Sequence, residues 1–534
     1  MAISRDNSSL LLLLTICIFF VSSEAASQKK SSHVNGRQSI VPFRRFGAEI
    51  STKLVNNNSF VLASKRTERR DPLNNFKDYT GGWNISNRHY WASVGFSAAP
   101  LFVIALVWFV IFGLILLCSA CYYCCCRRPI HSYSRVAYAI SIILLLLFTL
   151  ASIVGCILLY NGQGKFHSST SNTLDYVVGQ ANFTVENLRA FSGNLSAAKR
   201  INVTNLFVPG DLQGRIDEIV TRVNTSANDL DRRTADNSKN IRDVLDTVRL
   251  ILIIVAAVMI LLTFLGFVFS ILGLQFLVYI LVLIGWFLVA ATFIMSGVFL
   301  LLHNVVGDTC VAMDEWVLHP SEHTALDDIL PCVDVSTAND SLYRSREVTY
   351  NLADIVNNVI NGVVNPSNPK IQFNQSGPLV PTLCNPLNKD LSNRTCASDE
   401  VTLSNASQVW KKYECSATSI NGFEVCATVG RITPTIYDQM DAAVSVGYGL
   451  YHYGPFLVQL EDCTFVRETF SSIKQNNCPG LRKNTKWVYA GLTMVSAAVM
   501  LSTIFWVIYA RERRHRVYGK QNDFRQGHAL VLDK

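Results

Sequence analysis

Four stretches of this chain carry no charged side chain: Trp91–Cys126, Val136–Gly164, Leu250–Gly307 and Trp487–Ala510. A hydrocarbon core about 30 Å thick is crossed by about 20 apolar residues rising 1.5 Å each. The first, second and fourth stretches each hold one span, at 96–118, 136–160 and 487–510. The third is too long for one and predicts two, at 250–271 and 276–302, joined by a tight turn near Ser270–Gln275. Five transmembrane helices follow, and an odd count puts the termini on opposite faces.

Between the spans the apolar pattern is helical. Ile216, Val220, Val223, Ala227, Leu230, Thr234, Asn237, Ile241, Val244 and Val248 step by alternating four and three residues. That is a heptad seam running into the third span, rising roughly 50 Å above the bilayer and needing a partner for its stripe. Ser341 is the expected cap of a second helix bearing Val348, Leu352, Ile355 and Val359, ended by Gly362–Pro366. A third stretch puts Phe456, Cys463, Val466, Phe470 and Ile473 on one face. Between these last two, Pro366–Cys426 is rich in Asn, Ser, Pro and Cys and reads as a disulfide-stapled excursion. Residues 26–90 have few apolar clusters and are expected to be largely disordered. The fold class is an all-α membrane protein: five transmembrane helices, an elongated extracellular helical bundle and disulfide-stapled excursions.

Sidedness comes from four local signals. Arg5, the apolar run Leu10–Val21 and small residues through Ala25 predict a signal peptide at 1–25, cleaved to leave the mature N-terminus outside. The loops 161–249 and 303–486 are then extracellular, while 119–135 and the tail 511–534 are cytosolic. Every N-x-[ST] triplet after the peptide falls outside: Asn57, Asn84, Asn182, Asn194, Asn202, Asn224, Asn339, Asn374, Asn393 and Asn405. Cys310, Cys332, Cys384, Cys396, Cys415, Cys426, Cys463 and Cys478 all lie in 303–486, and eight cysteines in an oxidising space imply four disulfides in any of about 105 pairings. Basic residues agree less cleanly. Arg127, Arg128 and Arg135 mark the short loop as cytosolic, but Arg482, Lys483 and Lys486 precede the fifth span on the proposed outer side.

Half the residues are hydrophobic and 16% are charged, which places the chain among integral membrane proteins. The net +8 is dispersed and gives no reason to expect nucleic acid. No H-E-x-x-H, G-x-S-x-G or phosphate-binding G-x-x-x-x-G-K-[ST] occurs, so neither catalysis nor a cofactor is expected. His303, His319 and His323 near Asp308, Asp314, Glu315 and Glu322 read as a solvated polar segment leaving a span, not as a metal site. Cys118, Cys121, Cys124, Cys125 and Cys126 sit at a membrane boundary beside Arg127 and Arg128. They are candidates for S-acylation, with unmodified boundary thiols and a metal site as the other readings. Arg511, Arg513, Arg514 and Arg516 orient the last span and are candidates for contact with anionic lipid. No span contains a charged residue, which argues against conventional ion-coupled transport.

This layout resembles the prominins, with tweety-type proteins related in plan, and is similar to a plant family of five-span transmembrane glycoproteins. The features that carry it are the signal peptide, five spans, the CSACYYCCC patch after the first span and two large glycosylated loops. The prominin-like resemblance implies a non-enzymatic plasma-membrane glycoprotein that organises membrane shape or lipid domains, acting with lipids that include sterol, alone or as a homo-oligomer. The tweety-like alternative implies an anion channel or lipid-handling protein. A third reading is a cell-surface receptor or adhesion component, whose short tail would need a co-receptor.

Overall fold

A computed structural model describes residues 60–125, 135–197, 210–330, 332–366, 374–420 and 422–532. The signal peptide, Asn57, Cys126, Arg127, Arg128 and Asn202 lie outside the described residues. Five helices are long and apolar enough to cross a membrane.

A short helix α1 (Ser64–Thr67) and a two-strand ribbon, β1 (Arg70–Asp71) against β2 (Lys77–Asp78), precede the first span. That span is α2 (Arg88–Val107), a π turn (Trp108–Phe112) and α3 (Gly113–Cys125). The Asn87 side chain accepts from the His89 N–H and caps it. The π turn has a partner. Trp108 Nε1 donates to the Trp286 carbonyl at 3.2 Å, and Trp286 Nε1 donates back to the Phe109 carbonyl at 3.0 Å. Such turns leave backbone groups displaced from the helical ladder, and here an indole takes one up.

The next two helices, α4 (Arg135–Ser196, 62 residues) and α5 (Gly210–Leu272, 63 residues), run without a break through the apolar zone and beyond it, each roughly 90 Å long. The expected turn is Gly273–Leu274. Gly273 has φ +83°, and both N–H groups donate to the Phe269 carbonyl, closing the end of α5. The fourth span is α6 (Gln275–Leu318).

On the face bearing the two large loops, α7 (Val335–Val359) continues into a π turn (Ile360–Val364). Its cap is Asp334, whose carboxylate accepts from the Thr337 N–H at 3.1 Å; Ser341, the expected cap, lies two turns inside. Asp and Ser are equally good caps, so the tie is broken by where the chain turns. A short α8 (Ala406–Trp410) and the hairpin β3 (Ala417–Ile420)–β4 (Phe423–Cys426) belong to a small lobe packed around Trp410, Leu383, Val401 and Ile432. α9 (Pro434–Glu461) packs on α7 and α4. The stretch expected to keep Phe456 and Ile473 on one face is broken at Cys463, which takes φ 61° between α9 and α10 (Thr464–Ser472). Phe456 turns instead to Phe183 and Phe465, at 5.3 and 5.4 Å between ring centroids. After a π turn (Ile473–Asn477), α11 (Cys478–Leu532) carries the fifth span.

The heptad seam holds only in part. Val220 and Ala227 are buried, but Ile241 and Val244 are exposed, and Leu245 and Leu252 take their place. A straight helix has 3.6 residues per turn, so a strict heptad stripe drifts round it by about 20° per repeat. Residues 60–90, expected to be disordered, are folded. Leu62, Ala63, Tyr79, Trp83 and Tyr90 form one apolar cluster with Ala312, Trp316 and Leu326. The ordering comes from four large side chains widely spaced in an otherwise polar segment.

Inside the apolar zone α11 is the most enclosed span. Gly155 faces Val495, Gly266 faces Trp506 and Gly285 faces Thr503, so three neighbouring spans approach it through glycine. Hydroxyl pairs link the same helices: Ser496 Oγ donates to Thr292 Oγ1 at 2.8 Å, and Ser152 lies 3.1 Å from Thr263. The first span packs mainly on α6 and leaves most of its apolar surface bare.

Candidate functional site

Four cysteine pairs stand at bonding distance: Cys310–Cys478, Cys332–Cys463, Cys384–Cys396 and Cys415–Cys426. The first two tie α6 and the segment after it to the chain entering α11. The last two staple the small lobe. Cys384, Cys396 and Glu400 lie within reach of a common ion, but the two sulfurs are bonded to each other and Glu400 is held by Arg394 at 2.8 Å. That group has no metal-ligating capacity left.

The histidines separate. His303 Nδ1 is 3.0 Å from Thr485 Oγ1, the His319 ring lies tilted against Phe60 at 4.5 Å between centroids, and His323 lies 3.9 and 3.7 Å from Asp327 and Asp328. The solvated segment expected here contains one residue that is nothing of the kind. Asp308 is fully buried, at 0% side-chain exposure. It is the first charged residue after the long uncharged run, and α6 carries it about one and a half turns beyond His303.

An ionised carboxylate in such a place needs partners, because desolvation alone costs several kcal/mol. Arg69 Nη2 donates to both oxygens, at 2.6 and 2.5 Å, and the Tyr90 hydroxyl donates to Oδ2 at 3.0 Å. Arg66 Nε lies 3.0 Å from Oδ1, without hydrogen-bond alignment. Burial pulls the Arg66 guanidinium below its usual value, with Asp308 opposing that shift and Arg482 adding to it. The approach is possible because residue 307 is glycine: a Cβ there would enter the Arg66 guanidinium. At the residue after Asp308, Trp83 Nε1 donates to Thr309 Oγ1 at 2.9 Å, and two turns on the Ala63 N–H donates to Glu315. The segment before the first span is thus latched to the end of the fourth. No sequence motif announces this. The one usable signal was Asp308 standing directly after 58 uncharged residues, Leu250–Gly307.

The other candidates lie apart. Cys118 and Cys121 are exposed free thiols on α3; the side chains of Cys124 and Cys125 are outside the described set. Arg513, expected at lipid, is engaged with protein. It donates to the carbonyls of Ser270, Ile271 and Leu272, where α5 ends. The unsatisfied carbonyls of a helix C-terminus attract a cation. Arg516 stacks over Tyr138 at 5.2 Å, and the side chains of Arg511 and Arg514 are not described. Among the triplet asparagines, Asn182, Asn224, Asn339, Asn374, Asn393 and Asn405 are exposed, and Asn84 is half-buried. Asn194 is half-buried against Gly449 of α9, with its Nδ2 donating to the Ala190 carbonyl at 2.8 Å.

An open apolar groove of about 400 Å³ runs along the first span, lined by Pro72, Gly95, Phe96, Ala99, Phe102 and Val103. Comparison with known protein families and with curated proteins finds no match.

Proposed function

We propose that this chain is a non-catalytic glycoprotein of the plasma membrane, with its N-terminus outside and its C-terminus in the cytosol, that organises lipids or membrane shape. The observation that supports the reading is helix continuity. The second, third and fifth spans lie in helices of 62, 63 and 55 residues that continue past the apolar zone. Two disulfides between the fourth- and fifth-span regions stiffen the exterior base. A stiff inclusion of this kind imposes its own preferred geometry on the lipid around it. The bare, grooved first span offers acyl chains or sterol a surface that is mostly free of protein contact. The five uncharged spans lend no support to an anion channel.

The test is partitioning. Labelled protein in giant vesicles, from which thin membrane tubes are drawn, is expected to enrich in the tubes or to be expelled from them. Equal density in tube and parent membrane, at every tube radius, would sink the proposal.

A further inference from the structure

Four basic side chains stand near the end of the spans on the large-loop face, where Asp308 is the carboxylate of two of them. Arg66 and Arg69 lie on it. Arg482 and Lys486 project from α11, one turn apart, on either side of Thr485, which is bonded to His303. The charges of Arg66, Arg482 and Lys486 all bear on His303, and that of Arg482 bears on Arg66 as well. Four positive groups against one carboxylate leave a local excess of three.

Asp308 does not saturate the inner pair: Arg66 Nε faces its Oδ1 at 3.0 Å, but Arg69 Nη1 is buried and, among the described residues, has no hydrogen-bond acceptor. Both side chains are mostly enclosed, at 15% and 23% exposure. Glu315, two turns further along α6, is taken by the Ala63 N–H. Arg482 and Lys486 are exposed and form the open rim. The height matters too. Lys486 adjoins the apolar stretch at Trp487, and Arg482 stands about 6 Å above it. That is the level of the phosphate layer, just outside hydrocarbon about 30 Å thick. Arginine forks suit tetrahedral oxyanions, and lysine adds a point charge.

We propose that Arg66, Arg69, Arg482 and Lys486 form a site for a phosphate group at the membrane boundary, with Asp308 holding the first two guanidinium groups in place. The phosphate belongs either to a lipid headgroup or to a small soluble phosphate. The proposal goes beyond the organiser reading and stands without it, because it rests on the charge constellation alone.

The full-length protein in detergent micelles is titrated with dioleoyl phosphatidic acid, with dioleoylglycerol (the same chains without phosphate) and with inorganic phosphate. Phosphatidic acid is expected to bind and dioleoylglycerol not. Replacing both rim residues, Arg482→Ala with Lys486→Ala, is expected to weaken binding about tenfold or more while the melting temperature holds. The charge-preserving pair Arg482→Lys with Lys486→Arg keeps it. Competition by inorganic phosphate assigns the site to the oxyanion itself; its absence assigns it to a lipid headgroup. If dioleoylglycerol binds as well as phosphatidic acid, if neither phosphate probe binds, or if the alanine pair binds like the parent, the site is refuted.

Discussion

Gly266 of the third span lies flat against the indole of Trp506 in the fifth, so close that a Cβ on Gly266 would enter the ring. Trp506 is fully buried. Gly266→Val is therefore expected to cost about 1–3 kcal/mol or more through overpacking. Thermal unfolding in detergent should show the loss. Pairing the change with Trp506→Leu should recover part of it, and a double variant no more stable than Gly266→Val alone would show that the ring is not what the valine meets.

Asp308→Ala removes the counter-charge for two guanidinium groups held mostly out of water. Breaking a buried ion cluster in this way costs about 3–5 kcal/mol. The damage should be local first: limited proteolysis is expected to cut between Leu62 and Trp83 in the variant before it cuts anywhere in α7 or α9. An unchanged digestion pattern would contradict the latch.

Arg513→Ala should loosen the end of α5, where it donates to three carbonyls. A charged hydrogen bond contributes about 1.5–3 kcal/mol, less when partly exposed as here, so a loss of about 1 kcal/mol is expected. Affinity for anionic vesicles should hardly change. A variant of normal stability that no longer binds such vesicles would restore the lipid reading for this residue.

Site-resolved glycopeptide mass spectrometry is expected to find Asn182 and Asn224 occupied and Asn194 bare. Asn194 has its Cβ against Gly449 and its Nδ2 on Ala190. Occupied Asn194 would mean that α4 and α9 separate there; a protein bare at all three would overturn the proposed outer face.

Peptide mapping without reduction should recover four crosslinks, Cys310–Cys478, Cys332–Cys463, Cys384–Cys396 and Cys415–Cys426. Any crosslink between the small lobe and the α6–α11 pair would contradict the fold of that lobe.

What the sequence made legible was whatever depends on length and polarity. The five spans, the turn at Gly273 and the helices that continue beyond the apolar zone follow from uncharged runs and helical spacing, because a bilayer admits few other solutions. What it hid depends on tertiary partners. Leu62, Tyr79, Trp83 and Tyr90 are scattered through polar sequence and find one another only on the face of α6. Asp308 carries one signal in sequence, its place directly after an uncharged run, and its burial shows only once Arg66 and Arg69 are laid over it. Arg513 reads as a surface cation until the end of α5 is brought beside it. Cys463, paired with Cys332, interrupts a good helical stripe by taking φ 61° between two helices.

The two-residue link Gly273–Leu274 bears on how the chain is made. With only two residues between them, the third and fourth spans are expected to enter the bilayer as one helical hairpin, so a lesion in either is expected to impair the insertion of both.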